Sequence, residues 1–230
     1  MSVAAIIVAG GEGTRMQVQL NKVFLQVSSK SILERSLELF ESCPEVDEVL
    51  LVARAADVRR CEGLTEQFRK LRTVVAGGDI RHRSEFAGLR AIAGRIDAGE
   101  IETVLVHDAV RPFASPSLVR RVLAGMGPST GCIPGLPVGP HTVLVQDGWV
   151  SAYPRSLWAV QTPQAFQATW LLEAHNKAAR QGFIGTDTAS VVEWAGGDVK
   201  VIEGEADNIK ITTPADLVDA ERIAAKRPSG

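Results

Sequence analysis

Val3-Ala4-Ala5-Ile6-Ile7-Val8 runs directly into Ala9–Lys22, AGGEGTRMQVQLNK, and this stretch decides the reading of the fold. The apolar run is short, partly β-branched and closed by glycine, as expected of a buried strand. Gly10, Gly11 and Gly13 then remove side chains where the backbone must turn sharply and approach something closely. Successive N–H groups in such a turn form a concavity suited to phosphate oxygens. Arg15 and Lys22 add two positive charges just downstream. The pattern outlines a nucleotide triphosphate site, although a plain strand-to-helix turn with surface cations fits the same residues.

Two familiar phosphate loops do not fit. The dinucleotide fingerprint needs glycine or alanine where Met16 stands, and the P-loop needs a G-K-[ST] tripeptide that the sequence lacks. What remains is G-x-G-T-R-M with a lysine six residues beyond Met16, and this resembles nucleotidyltransferases that attach a nucleotide to a sugar or polyol phosphate.

Working outward, strand-like and helix-like segments alternate. Ser31 and Glu34 have capping-box spacing before Leu33, Leu37 and Phe40, and Pro44 stops that helix. Strands are expected at Val46–Val52, Leu71–Ala76, Thr103–Val106 and Val199–Glu203. A polar helix interrupted at Gly63 is expected over Ala55–Lys70. Further helices are expected from near Ile80, over Pro116–Met126, and from Thr213-Pro214. Thr162-Pro163 reads as an N-cap and first-turn proline for a helix through Gln181, with Phe166, Trp170 and Ala174 as its buried stripe. Thr186-Asp187-Thr188 opens another helix, and the tail from Lys226 to Gly230 is expected to be disordered. Alternation of this kind predicts an α/β fold with a doubly wound, mainly parallel, Rossmann-like sheet. Such sheets bind ligands at the carboxyl ends of their strands, where the loops at Gly10, Gly77 and Asp108 converge.

Between Gly131 and Pro154 the texture changes to Pro- and Gly-rich sequence with Asp147-Gly148 between two β-type runs. That dipeptide predicts a hairpin pairing Thr142–Val145 with Trp149–Ala152. Projecting from the domain as an arm at about 137–156, it would carry Val143, Val145, Trp149 and Tyr153 to a second copy of the chain, giving a homodimer. A hairpin folded back on its own domain is the alternative.

At 230 residues the chain suits one domain spanning 1–230. With 45% hydrophobic and 23% charged residues it has an ordinary globular composition, and a formal net charge of -2 gives no argument for a nucleic-acid surface. Cys43, Cys61 and Cys132 lack metal spacing and read as free thiols in a reducing compartment. No apolar stretch approaches membrane-spanning length and the start has no basic n-region, so no membrane role and a cytoplasmic location are expected.

AGGEGTRM, Asn21-Lys22, GGDIRHRS (Gly77–Ser84), VHDAVRP (Val106–Pro112), LWAVQTPQAF (Leu157–Phe166), TDTAS (Thr186–Ser190) and ADNIKIT (Ala206–Thr212) occur in that order along nearly the whole chain. Together they resemble the 2-C-methyl-D-erythritol 4-phosphate cytidylyltransferase family. The resemblance implies a sheet of the nucleotide-diphospho-sugar transferase type, and a reaction joining CTP to a polyol phosphate with loss of pyrophosphate. It implies Arg15, Lys22 and Lys210 as the catalytic cations. For CTP it implies Ala9, Gly10, Gly11, Gly13, Gly77, Gly78, Asp79, Arg81, Ser84 and Asp108. For the polyol phosphate it implies Asp108, Arg111, Thr142, Arg155 and Thr186, with the arm residues supplied by the partner subunit. Mg²⁺ is expected on the triphosphate, with no protein ligand assigned. His107 is expected to be structural.

The arm departs from the family pattern. Pro137-Val138-Gly139-Pro140-His141-Thr142 has an extra residue and no aspartate, and Arg155 stands one residue closer to the Leu-Trp pair than the family arginine. A one-residue shift reverses the face of a strand on which a side chain points. A ribitol 5-phosphate cytidylyltransferase and a catalytically silent nucleotide-binding scaffold remain open beside the first reading.

Overall fold

The computed structural model describes residues 2–10 and 21–227. Val3–Ala9 (β1) is the centre of the sheet, pairing in parallel with Glu48–Ala53 (β4) on one side and Thr103–Asp108 (β6) on the other. Leu71–Ala76 (β5) adds in parallel to β4. Beyond β6 the direction changes, because Gln164–Gln167 (β11) runs antiparallel to β6 and to Gly131–Pro137 (β7). Trp158–Val160 (β10) is also antiparallel to β7, while Val199–Glu203 (β12) pairs with β7 in parallel. Two small ladders stand apart: Gln26–Val27 (β2) with Lys30–Ser31 (β3), and Leu144–Gln146 (β8) with Trp149–Ala152 (β9).

β1 is buried along its full length, and its side chains divide between the two faces as a period of two requires. Val3, Ala5, Ile7 and Ala9 meet Leu33, Leu37 and Phe40 of Ile32–Glu41 (α1), Cys61 of Val58–Glu62 (α2), and Leu118, Val119 and Val122 of Pro116–Met126 (α4). Ala4, Ile6 and Val8 meet Leu89, Ile92 and Ile96 of Arg81–Asp97 (α3), Leu171 and Leu172 of Ala168–Gln181 (α5), and Val192 of Thr188–Ala195 (α6). Helices therefore cover both faces, which is the expected doubly wound arrangement. Pro214–Lys226 (α7) closes a smaller cluster in which Ile211, Ala220 and Ile223 pack on Val27, Ile32 and Phe113.

Local signals place several boundaries. Ser31 with Glu34, and Thr213 with Asp216, form reciprocal capping boxes, and Ser115 caps α4 ahead of Pro116. At the hairpin tip Asp147 and Gly148 both adopt positive φ, 52° and 83°, as a two-residue primed turn demands. The paired strand starts at Leu144 rather than Thr142.

Three expectations are corrected. Thr162-Pro163 does not open a helix: the chain continues as β11, with Gln164, Ala165 and Phe166 buried, and α5 begins at Ala168. The reason is tertiary, since the gap between β6 and β7 is filled only by an extended segment. Phe166 accordingly belongs to the sheet, not to the helix stripe. Residues 55–66 form short 3₁₀ and α turns around α2 rather than one long helix. The expected tail starts too early, since Lys226 is the last residue of α7 and Arg227 caps it and donates from Nη2 to Phe113 O at 2.6 Å, while residues 228–230 lie outside the described residues.

Candidate active site

Register alone brings the predicted loops together. Val8 lies opposite Asp108, Ala9 opposite Ala53, and Ala53 opposite Ala76, so Gly10, Gly77 and Ala109 leave neighbouring strands at one edge. The Gly77 N–H donates to Ala53 O at 2.8 Å and the Ala109 N–H to Val8 O at 3.1 Å. Asn21 stands at the same edge. Its Nδ2 donates to Ala9 O at 3.3 Å and to Asp57 Oδ2 at 2.8 Å, which fixes the start of the 3₁₀ turn carrying Lys22. The segment after β12 arrives through Ile211, whose N–H donates to Val110 O at 2.9 Å.

Small residues let this edge pack tightly. A Cβ on Gly10 would stand 2.9 Å from Ser84 Oγ, and one on Gly77 would stand 2.7 Å from the same atom. Ser84 sits in the first turn of α3, with its hydroxyl within reach of Gly78 O at 3.2 Å and Ile80 O at 3.0 Å. Ser84 is thus the wedge against which two glycine turns close.

Asp108, buried at the end of β6, is the electrostatic centre. Arg81 Nε donates to its Oδ1 at 2.8 Å, Lys210 Nζ lies 2.7 Å from its Oδ2, and Arg111 Nε stands 3.9 Å from Oδ2. Burial would raise the Asp108 pKa, but the Arg81 and Lys210 charges outweigh it and hold the carboxyl well below the ordinary range. Its backbone N–H donates to Thr162 Oγ1 at 3.0 Å. That hydroxyl has its own proton left to give to His107 Nδ1 at 3.2 Å, so the imidazole carries its proton on Nε2, facing Arg111 O at 3.2 Å. His107 is fully buried, and burial pushes its pKa down to about 4. It is a neutral brace for the Asp108 loop, as expected.

The remaining predicted residues fall into four groups. Gly78 packs against Arg83, and Asp79 turns away to pair with Arg83 at 2.5 Å. Thr186 is exposed, directly before Asp187, the N-cap of α6. Thr142 and Arg155 lie on the arm rather than in the cluster: Thr142 Oγ1 donates to Gly139 O at 2.7 Å, and Arg155 is exposed. Gly11, Gly13 and Arg15 lie outside the described residues.

Comparison with known proteins agrees with this architecture. Residues 3–226 match the family described as IspD, 2-C-methyl-D-erythritol 4-phosphate cytidylyltransferase. The chain belongs to this family. The enzyme of that name from Geobacter metallireducens is 40% identical, with 99% of each chain covered. A crystal structure of 4-diphosphocytidyl-2C-methyl-D-erythritol synthase from Anaerococcus prevotii superposes with a TM-score of 0.85 at 30% identity, covering 98% of this chain and 96% of that one. The 2-C-methyl-D-erythritol 4-phosphate cytidylyltransferase from Thermus thermophilus gives 0.71 at 35% identity, covering 98% of this chain and all of that one.

Sequence reasoning missed several residues of this candidate site. Gln161 and Asn208 are buried between the LWAVQTPQAF and ADNIKIT segments, where Gln161 exchanges hydrogen bonds with the Glu205 backbone and Asn208 Nδ2 donates to Thr162 O at 2.9 Å. Both stand in motifs quoted for the resemblance, but only the fold shows that they join the two. Glu85 and Thr188 meet Arg81 from α3 and α6; Thr188 stands in the quoted TDTAS run without having been given a site role, and Glu85 lies one residue beyond the GGDIRHRS run.

A Mg²⁺ held by protein alone does not fit the residues present. Both Asp108 oxygens already receive cations, and no group of three or more His, Cys, Asp or Glu side chains able to hold a metal occurs among the described residues.

Proposed function

We propose that the protein transfers the cytidylyl group of CTP to 2-C-methyl-D-erythritol 4-phosphate, giving the CDP-alcohol and pyrophosphate. The observation that carries this reading is the row Arg81–Asp108–Lys210 with Arg111, set beside glycine turns at the carboxyl edge of a parallel sheet. That edge is where a nucleotide is held in such folds.

The reaction needs charge neutralisation more than proton transfer. An ionised oxygen of the polyol phosphate forms a bond to the α-phosphorus of CTP as the bond to the β-phosphate oxygen breaks. Negative charge grows on the equatorial oxygens and on the departing pyrophosphate, so prepositioned cations lower the barrier. Arg15 and Lys22 are assigned to the triphosphate, and Lys210 to the substrate phosphate and the reacting centre. Ala9, Gly10, Gly11, Gly13, Gly77, Gly78, Asp79, Arg81 and Ser84 are assigned to the cytidine and phosphates of CTP, with Asp108 at the ribose. Asp108, Arg111 and Thr186 are assigned to the polyol phosphate, joined by Thr142 and Arg155 from a partner subunit's arm. Mg²⁺ would arrive on the nucleotide phosphates, consistent with a carboxylate already engaged by cations.

The reading treats residues 1–230 as one domain with an inserted arm, working as a cytoplasmic homodimer. Support for the dimer is the arm's exposed apolar side, where Trp149 is 80% and Tyr153 76% exposed. No helix among the described residues is long and apolar enough to cross a membrane.

Incubation with CTP, Mg²⁺ and either methylerythritol phosphate or ribitol 5-phosphate, with pyrophosphate measured, tests the assignment. Turnover is expected with the methylerythritol phosphate. Product from ribitol phosphate alone would transfer the reading to the sister activity, which the altered arm sequence makes the natural competitor. Absence of product with either would leave a nucleotide-binding scaffold.

A further inference from the structure

Glu85 is a buried carboxylate to which the reaction assigns no role. Its side chain is only 1% exposed, one turn along α3 from Arg81. Oε1 receives both the Arg81 guanidinium and the Thr188 hydroxyl, the latter at 2.7 Å. Oε2 has no hydrogen-bond partner and faces His175 Nε2 at 3.7 Å. His175 is itself buried between His82, ring centroids 4.9 Å apart, and Phe86, 5.9 Å apart. Burial lowers the His175 pKa to about 3, so a neutral imidazole lies beside the carboxylate.

The charged and titratable groups around Glu85 come from every element packed on it. They are Arg81 and His82 on α3, Asp108 on β6, His175 on α5 and Asp187 at the start of α6. One guanidinium therefore serves two carboxylates, with Nη1 on Glu85 and Nε on Asp108. Lys210 follows on the other oxygen of Asp108, so that charges alternate along Glu85, Arg81, Asp108 and Lys210.

We propose that Glu85 is a positioning residue for the transfer reaction: when ionised it holds one end of Arg81, which leaves an oxygen of Asp108 to seat Lys210. This inference rests on the cytidylyltransferase reading above. With Glu85 neutral, the guanidinium has one strong anion left to address. A bidentate grip on Asp108 then competes with Lys210 for Oδ2, and the lysine loses its anchor. Burial raises the Glu85 pKa, and although Arg81 and Thr188 oppose this it stands at about 7, so the group changes charge in the range where an enzyme works.

The test compares kcat of the wild type and Glu85→Gln from about pH 5.5 to 9 at saturating CTP and polyol phosphate. The substrate phosphates titrate identically in both, so the ratio of the two rates isolates the enzyme group. The wild type is expected to be faster by roughly tenfold above about pH 8, with the ratio falling towards one below about pH 6. Equal rates throughout, or a ratio constant with pH, would overturn the proposal, since a purely structural loss lowers activity by the same factor at every pH. Thr188→Val supplies a second reading should Glu85→Gln fail to fold. Without the hydroxyl its carboxylate is less stabilised, and the acid limb of the kcat profile should move to higher pH. An unmoved limb would overturn the proposal as well. Lack of wild-type turnover is a different result, and it would remove the functional reading itself.

Discussion

Arg111 Nη1 donates to the backbone oxygen of Asn208 at 2.8 Å, and this bond ties the loop after β6 to the segment that delivers Lys210. The same guanidinium donates from Nη2 to Val160 O at 3.1 Å, while Asn208 is fully buried and bonded to Thr162. Three segments distant in sequence are thereby locked at the strand edge, and this fixes the backbone from which Lys210 reaches Asp108.

That arrangement separates chemistry from scaffolding. Lys210→Ala should lower turnover by roughly 10²-fold or more, as loss of a transition-state donor does. Its melting temperature should stay near that of the wild type, because Asp108 keeps Arg81. Asn208→Ala should instead reduce both turnover and stability, the latter by about 1–3 kcal/mol for a buried group left unpaired. Pyrophosphate release and urea denaturation on both variants check this, and a destabilised Lys210→Ala would contradict it.

The wedge at Ser84 predicts a specific pattern of rescue. Gly10→Ala should cost about 1–3 kcal/mol by overpacking. Adding Ser84→Ala should recover most of it, because Ser84 Oγ is the atom in the way at 2.9 Å. Gly77→Ala should be rescued less, since Val52 Cγ1 at 3.0 Å and Ser84 Cβ at 3.1 Å remain. Double-mutant cycles from denaturation midpoints measure both couplings. Equal rescue at the two glycines would argue against the geometry.

His107 makes stability depend on pH in a stated direction. Burial lowers its pKa to about 4 in the folded protein, against an ordinary value of about 6.5. Between those values the unfolded chain binds a proton that the folded one refuses, so stability rises with pH across the window and is lost on acidification. The contribution is on the order of 3 kcal/mol by linkage. His107→Gln should be less stable at neutral pH but show a flatter profile between about pH 4 and 6.5. Parallel profiles for the two proteins would refute the assignment.

The arm can be tested by mass and by mixing. Trp149→Glu with Tyr153→Glu should shift sedimentation from dimer to monomer, as charges on an interface core do. Heterodimers of Arg155→Ala and Lys22→Ala chains should regain part of the lost activity if each site draws on both subunits. A wild-type monomer at micromolar concentration, or heterodimers without recovered activity, would count against the shared site.

The sequence by itself determined the alternation of elements, the capped helix starts, the tip of the hairpin and the loops that meet at one edge. Each depends on local chemistry: periodic apolar residues, a reciprocal Ser–Glu cap, or an Asp-Gly pair able to adopt positive φ. The family resemblance was legible for a related reason, because its motifs are contiguous runs such as ADNIKIT. Tertiary structure decided what happens at Thr162-Pro163, where a good helix start becomes β11 because the sheet needs a strand between β6 and β7. It also decided the charges around Asp108. Glu85, Arg81, Lys210 and His175 come from two helices and a loop, and their pairing depends on burial and on distances of a few ångströms, which no local pattern in the chain encodes.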